Sequence, residues 1–286
     1  MPIKVYKKND AGRRGMSIVD RSVLTREKPE SRLTTSLNKQ AGRNNRGIVT
    51  CRHRGGGEKR RYRIIDFKQI EKAGIPGRIE SLQYDPNRSA WIALVTYVDG
   101  DKRYHLAAHG LAVGDKIITG EKTKIKPGNR CQIQHIPASF EIFNVELKPG
   151  KGGQMARSAG SRAKVVSTDG DTYAQIQLPS SEIRLVPKTC YATIGVAANI
   201  DHSNISLGKA GRVRRMGRRP QVRGKVMNPC DHPHGGGEAR NSIGMKAPKT
   251  PWGALALGVK TRNKKKYSKE LILKRRKPGR FSRRTK

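Results

Sequence analysis

Residues 91–108 read WIALVTYVDGDKRYHLAA. Two apolar runs, 91–98 and 103–108, flank the pair Asp99-Gly100, and both runs are rich in aromatic and branched side chains. Such side chains suit a pleated, half-buried strand. Asp-Gly between apolar runs marks a β-hairpin, because a type I′ turn needs positive φ. Outward from this hairpin, 62–67, 78–84 and 116–119 have the same character and are bounded by Gly74, Pro76 and Asp85-Pro86. Five short strands at this spacing predict a small barrel.

A second set follows at 132–136, 139–147, 163–168, 173–178 and 183–186, with Asp169-Gly170 marking another hairpin. Lys126-Pro127-Gly128 is the natural junction. The reading is therefore mainly β: a basic N-terminal extension (1–60), a first barrel (61–125), a second barrel (126–200) and a basic C-terminal extension (201–286). Each central unit is near the lower size limit for an independent core. Within the last segment KELILKRR (269–276) predicts two turns of helix, although Leu271, Ile272 and Leu273 are too clustered for a clean amphipathic face.

The charge is unevenly spread. Of 286 residues, 61 are Lys or Arg and 22 Asp or Glu, a formal +39. Residues 201–286 hold 25 basic and 4 acidic side chains, and residues 1–60 hold 16 and 5. With only 34% hydrophobic residues, the arms lack the apolar surface for cores of their own. A charge this large would repel itself in a lone compact chain, so a polyanion is the expected partner. No apolar run is long enough for a membrane span, and the first 15 residues lack the apolar core of a secretory signal. Four scattered cysteines (Cys51, Cys131, Cys190, Cys230) fit reduced thiols rather than a disulfide framework.

The strongest candidate contacts are the runs containing Arg212, Arg214 and Arg215, then Arg218 and Arg219, then Lys264, Lys265 and Lys266, and finally 274–277, with Arg223, Lys225 and Arg240 between them. Arg forks grip phosphate oxygens bidentately, and each neutralised phosphate releases counterions. Two glycine triplets sit in basic settings, one after Arg52, His53 and Arg54 and one after His232-Pro233-His234, and Arg43 precedes the first. The loop 148–154 carries Lys148 and Lys151 and runs on to Arg157 and Arg162. Glycines let backbone N–H groups approach phosphates. None of these loops has the Gly-Lys-Ser/Thr of a P-loop, so nucleotide hydrolysis has no motif support.

Cys230-Asp231-His232-Pro233-His234 admits three readings: Asp231 orienting His232 as a general base, a metal site completed by Cys51 and His53, or a rigid Pro–Gly loop packing imidazoles on RNA. The last fits best, since the cysteines are far apart and the arm has no core to hold catalytic geometry. Aromatic residues are 5% of the chain, too few for a generic single-strand binder that stacks bases. Trp252, in TPWG (250–253), is the exception, as a wedge into RNA or an anchor for the arm. A nucleoid-type DNA compactor would share the charge but not the long ordered motifs.

Those motifs are AGRNNRG (41–47), RHRGGGEKRRYRIIDFK (52–68), YDPNRSAWIALVTYVDG (84–100), KPGKGGQMARSAG (148–160), GKAGRVRRMGRRPQVRGKVMNPCDHPHGGGEAR (208–240) and TPWG. In order, along nearly the whole chain, they resemble the bacterial-type second protein of the large ribosomal subunit, the L-two family. The resemblance implies an OB-like barrel followed by an SH3-like barrel, with extensions of little regular structure, and a primary binder of large-subunit ribosomal RNA. It further implies support of subunit association through small-subunit RNA at an intersubunit bridge, tRNA binding, and contacts with neighbouring ribosomal proteins. No cofactor is implied beyond Mg2+ held by the RNA, no homo-oligomer, no enzyme, and a ribosome in the cytoplasm or in an organelle that encodes its own ribosomal proteins. Arg88, Arg157, Lys68 and Lys72 match basic positions that the family turns to RNA. His232 and His234 match the segment nearest the peptidyl-transferase centre, where a catalytic part for His232 is disputed. Glu58, Gln69, Cys230 and Ala239 depart from the family's usual residues, and 278–286 read as a terminal addition.

Overall fold

The computed structural model describes residues 3–25, 27–238, 240–263 and 265–276. Ala239, Lys264, Lys277 at the end of the run 274–277, and the terminal 278–286 lie outside the described residues. Strands β1 (Ile3–Val5) and β2 (Ser17–Val19) form an antiparallel hairpin, and β3 (Thr34–Ser36) pairs with β4 (Arg61–Arg63). Then β5 (Gly77–Gln83), β6 (Ile92–Tyr97), β7 (Lys102–Leu106) and β8 (Lys116–Ile117) build an antiparallel sheet in the order β7-β6-β5-β8.

The expected hairpin is present, with a different turn. Gly100 N–H donates to Tyr97 O (2.9 Å) and Tyr97 N–H to Asp101 O (2.9 Å), so the loop has three residues. Of these only Gly100 has positive φ (83°). This is a type I turn closed by a glycine bulge, which meets strand twist without asking Asp99 for a left-handed conformation. A bulge between Ile79 and Ser81 lets β5 bend. The bridge Ile65–Tyr104 lays the chain after β4 beside β7, curling the sheet into an OB-like half-barrel. One face buries Ile79, Leu82, Ala93 and Val95. The other buries Ile92, Leu94 and Tyr104 beneath Leu33.

The second sheet contains β9 (Arg130–Gln132), β10 (Glu141–Phe143), β11 (Ala163–Ser167), β12 (Tyr173–Gln177), β13 (Ile183–Pro187), β14 (Tyr191–Ile194) and β15 (Ile272–Lys274), in the order β15-β13-β12-β11-β10-β14-β9. Its core holds Ile133, Ile142, Val165, Ile176, Val186 and Ile194. Two expectations fail here. Over 132–136 the strand ends at Gln132, and a 3-10 turn (Ile133–His135) swings Ile133 and Ile136 inward. Over 269–276 the two helical turns do not form: a short 3-10 turn (Tyr267–Lys269) ends there, and β15 adds to the free edge of β13, with Leu185 N–H donating to Leu271 O (2.8 Å). An edge strand offers unpaired donors and acceptors, whereas three adjacent apolar residues give a helix no stripe to bury.

Phe143, the last residue of β10, turns its ring into the first core with Ala197 and Ala198. The bridge Ala108–Ala197 and the bond from Ala198 N–H to Ala107 O (2.9 Å) continue that seam. Burying one such phenyl ring stabilises by about 1.5–3 kcal/mol. Among the described residues no helix is long and apolar enough to cross a membrane.

Candidate nucleic-acid interface

Asp85 begins the turn after β5, and its fully enclosed carboxylate fixes the shape of that turn. Oδ1 accepts the Asn87 N–H (2.9 Å) and Oδ2 accepts Arg88 Nε (2.6 Å). Opposite stands the loop 148–157 of the second barrel, held to the first where Gly153 N–H donates to Phe67 O (3.0 Å). Arg157 caps the loop by donating from Nη1 to Gly153 O (3.1 Å). Its guanidinium lies 4.5 Å from the Phe67 ring centroid, and that of Arg88 lies 5.7 Å from the same centroid. Cation–π contacts of this kind contribute about 0.5–1 kcal/mol each at exposed sites. Here they set the direction of two charges brought from different barrels. The cleft between them encloses about 660 Å³, and its wall of Asn87, Arg88, Ser89, Gln154, Arg157 and Ser161, with neighbouring apolar and hydroxyl residues, contains no carboxylate.

Other expected contacts fare differently. Lys68 is exposed beside Phe67. Lys72 is spoken for: its ammonium is bonded to Asp99 and lies 3.1 Å from Asp101, and these carboxylates hold its pKa above the ordinary lysine value. Arg162 faces Glu141 at 3.2 Å. Lys151 is open to solvent, and Lys148 lies 5.5 Å from the Tyr267 ring centroid.

The two arms meet each other. Helix α1 (Ala210–Arg215) leads into a segment whose backbone pairs with the first glycine triplet. Gly55 N–H donates to Gly217 O (2.9 Å), Glu58 N–H to Arg215 O (3.0 Å) and Arg219 N–H to His53 O (3.0 Å), around the bridge Arg54–Arg218. The approach needs glycine, since a Cβ on Gly57 would lie 2.9 Å from Gly217 Cα. Arg43, Arg52, Arg54, Arg215, Arg218 and Arg219 are exposed around this junction, with Arg214 against Gly56. Arg215 reaches Glu58 at 3.6 Å across open solvent, a contact worth little. Arg212 works inward instead, donating from Nη1 to Ser17 O (2.9 Å). Farther along, Arg223, Arg240, Lys265 and Lys266 are exposed, and Lys225 Nζ lies 3.5 Å from Asn241 O.

In the second glycine-triplet loop both imidazoles bind backbone. His232 is buried and its Nδ1 accepts the His234 N–H (3.0 Å), while His234 Nε2 accepts the Lys249 N–H (2.8 Å). The rings tilt against each other at 4.7 Å. A neutral His232 therefore carries its proton on Nε2, and among the described residues Asp231 makes no hydrogen bond to it. Cys230 and Cys51 are exposed free thiols, and no group of three His, Cys, Asp or Glu among the described residues is placed as a metal ligand set. Trp252 is 81% exposed at the tip of a turn in which Thr250 N–H donates to Ala254 O (2.7 Å), and Arg52 lies 5.4 Å from its ring centroid.

Sequence reasoning missed Phe67 as the ring under both arginines and Asp85 as the anchor of one; both types are ordinary in a barrel. It also missed the junction between Gly57 and Gly217, for which the only signal was glycine inside a basic run.

Two family descriptions match the chain. "Ribosomal Proteins L2, RNA binding N-terminal domain" covers residues 30–119, and "Ribosomal Proteins L2, C-terminal domain" covers 126–253. Arg88 falls in the first and Arg157 in the second, so the cleft lies where the two matches face each other. The chain belongs to the ribosomal protein L2 family, whose members are structural, RNA-binding components of the large ribosomal subunit.

Proposed function

We propose that the cleft and the joined arms hold large-subunit ribosomal RNA by shape and phosphate contact, with Arg88 and Arg157 as the central pair. One observation carries this reading: two guanidiniums from different barrels are preset over Phe67 at a cleft without a carboxylate in its wall. Preset side chains lose less freedom on binding, and folded RNA is recognised largely through its shape and backbone. Lys68, Lys148, Lys151 and the exposed arginines of the arms extend the contact. The finer roles rest on the resemblance: subunit association through small-subunit RNA, tRNA binding, contacts with neighbouring ribosomal proteins, and support of the peptidyl-transferase region by the loop of His232 and His234, within a cytoplasmic ribosome. His232 acts there as a positioning residue, because its Nδ1 is committed to backbone. Mg2+ enters only through the RNA.

The test is Arg157→Glu in the full chain, titrated with large-subunit ribosomal RNA across a salt series. Losing one phosphate contact lowers the slope of log K against log salt by about 0.7–0.9, and the introduced charge weakens binding further. Affinity equal to that of the unmodified chain at every salt concentration refutes the assignment. Arg88 is the poorer probe, since its loss also strips the enclosed Asp85 of its closest cation and leaves it only Arg63 at 3.6 Å.

A further inference from the structure

A second recess lies away from the cleft, where β2, the end of β5 and the start of the C-terminal arm meet. It encloses about 420 Å³, within the about 300–1,000 Å³ usual for small-ligand sites. Val19, Trp91 and Ile205 give it apolar walls; Arg21, His202 and Arg212 also line it, and no carboxylate does. The carboxylate next in sequence, Asp20, is turned to the Ser22 N–H and hydroxyl (both 3.1 Å). Tyr84 stands 44% exposed with the Arg21 guanidinium 4.1 Å from its ring centroid. Among the described residues Arg21 has no ion-pair partner, so the pair forms a cationic platform beside an apolar recess.

The geometry points to a seat for one unstacked purine of the bound RNA, stacked on the Arg21–Tyr84 platform, with its phosphate toward Arg212 and His202. This rests on the proposal above that the chain holds ribosomal RNA, and adds a contact to a base where the cleft contacts the backbone. Bare phosphate gains nothing from walls of Val19, Trp91 and Ile205. A base does, and splayed-out bases are recognised on aromatic rings and guanidinium planes. The recess also needs both arms in place: Arg212 closes it from the C-terminal side while donating to the O of Ser17 (2.9 Å), the first residue of β2 in the N-terminal arm.

The experiment uses the full chain with Trp252→Phe, so that Trp91 fluorescence reports the recess. AMP is titrated in, ribose 5-phosphate serves as the same anion without a base, and large-subunit ribosomal RNA is then added. Saturable quenching by AMP is expected, with no competition from equal ribose 5-phosphate, and displacement by the RNA. Tyr84→Ala weakens AMP at least about fivefold, the loss of one stack; Tyr84→Phe retains binding, and Arg21→Ala gives an intermediate loss without touching the strand. Equal competition by ribose 5-phosphate, or AMP affinity unchanged in both Tyr84→Ala and Arg21→Ala, overturns the proposal. So does AMP that stays bound at saturating RNA, which would make this a site for a free nucleotide. In Tyr84→Ala the salt slope for ribosomal RNA stays as in the unmodified chain, because phosphate contacts set it. Failure of the unmodified chain to bind that RNA strikes the cleft reading instead.

Discussion

Replacing Glu146 by Gln changes almost no volume but leaves Arg130 as a lone cation inside the second barrel. Both side chains are fully enclosed, with Arg130 Nη2 3.0 Å from Glu146 Oε1. The other oxygen, Oε2, accepts the Tyr191 N–H (3.2 Å). A glutamine offers one oxygen and one NH2, so either Arg130 or Tyr191 meets a donor. Removing one member of a buried pair costs about 3–5 kcal/mol, a large share of the about 5–15 kcal/mol that holds a typical domain. The damage reaches the interface. Arg130 Nη1 also donates to Asn144 O (2.8 Å), and Asn144 N–H donates to Ala156 O (3.1 Å), the residue before Arg157. In urea, with a slope of about 2 kcal/mol per molar, the midpoint for the second barrel falls by about 1.5–2.5 M. The double replacement Arg130→Met with Glu146→Leu recovers part of that loss, because a packed apolar pair carries no buried charge, although the Asn144 carbonyl and the Tyr191 N–H lose these partners. A midpoint for Glu146→Gln within about 0.3 M of the original, or a double variant weaker than the single one, refutes the reasoning.

Gly57→Ala pushes a methyl group into the backbone of Gly217 and Arg215; trypsin cleavage in the arms accelerates by roughly tenfold while the barrels keep their urea midpoint. Burial holds the His105 imidazole, whose Nε2 lies 3.1 Å from the Tyr97 hydroxyl, at a pKa of about 4. The unfolded chain therefore binds the proton first as pH falls, so stability present above about pH 6.5 declines toward pH 4, by about 3 kcal/mol in all. His105→Gln flattens the urea midpoint between pH 6.5 and 4.5, and an unchanged slope there contradicts the assignment. A chain ending at Glu270 lacks β15, and hydrogen exchange at the Leu185 amide rises by roughly tenfold or more. Particles assembled with His232→Gln form peptide bonds at the normal rate once assembled, with any defect appearing in assembly; a slowed chemical step in intact particles contradicts the positioning role.

How much of this is legible in the sequence depends on how far each cause lies along the chain. The β6–β7 hairpin is visible because Asp99-Gly100 and its flanking runs are contiguous; its turn type is not, since a type I turn with a glycine bulge uses the same dipeptide. The strand at 272–274 reads as helix because its partner, the edge of β13, lies some 90 residues away. Basic residues are obvious as a type, but which of them are neutralised is not. Lys72 meets Asp99 across 27 residues, and Arg88 meets Asp85 within one turn that reads simply as a break between strands. Phe67 and Tyr84 read as core, and no local pattern says that arginines lie over them. The junction of the arms joins residues near 55 to residues near 217, and two glycine-containing basic runs give no sign that they pair.

The most direct test of the central claim is sedimentation of a native extract through a high-salt sucrose gradient, probing for this chain. High salt strips proteins held only by diffuse charge. The chain is predicted to remain with the large ribosomal subunit at salt that releases loosely held basic proteins. Release to the top of the gradient, or migration with DNA, would contradict it.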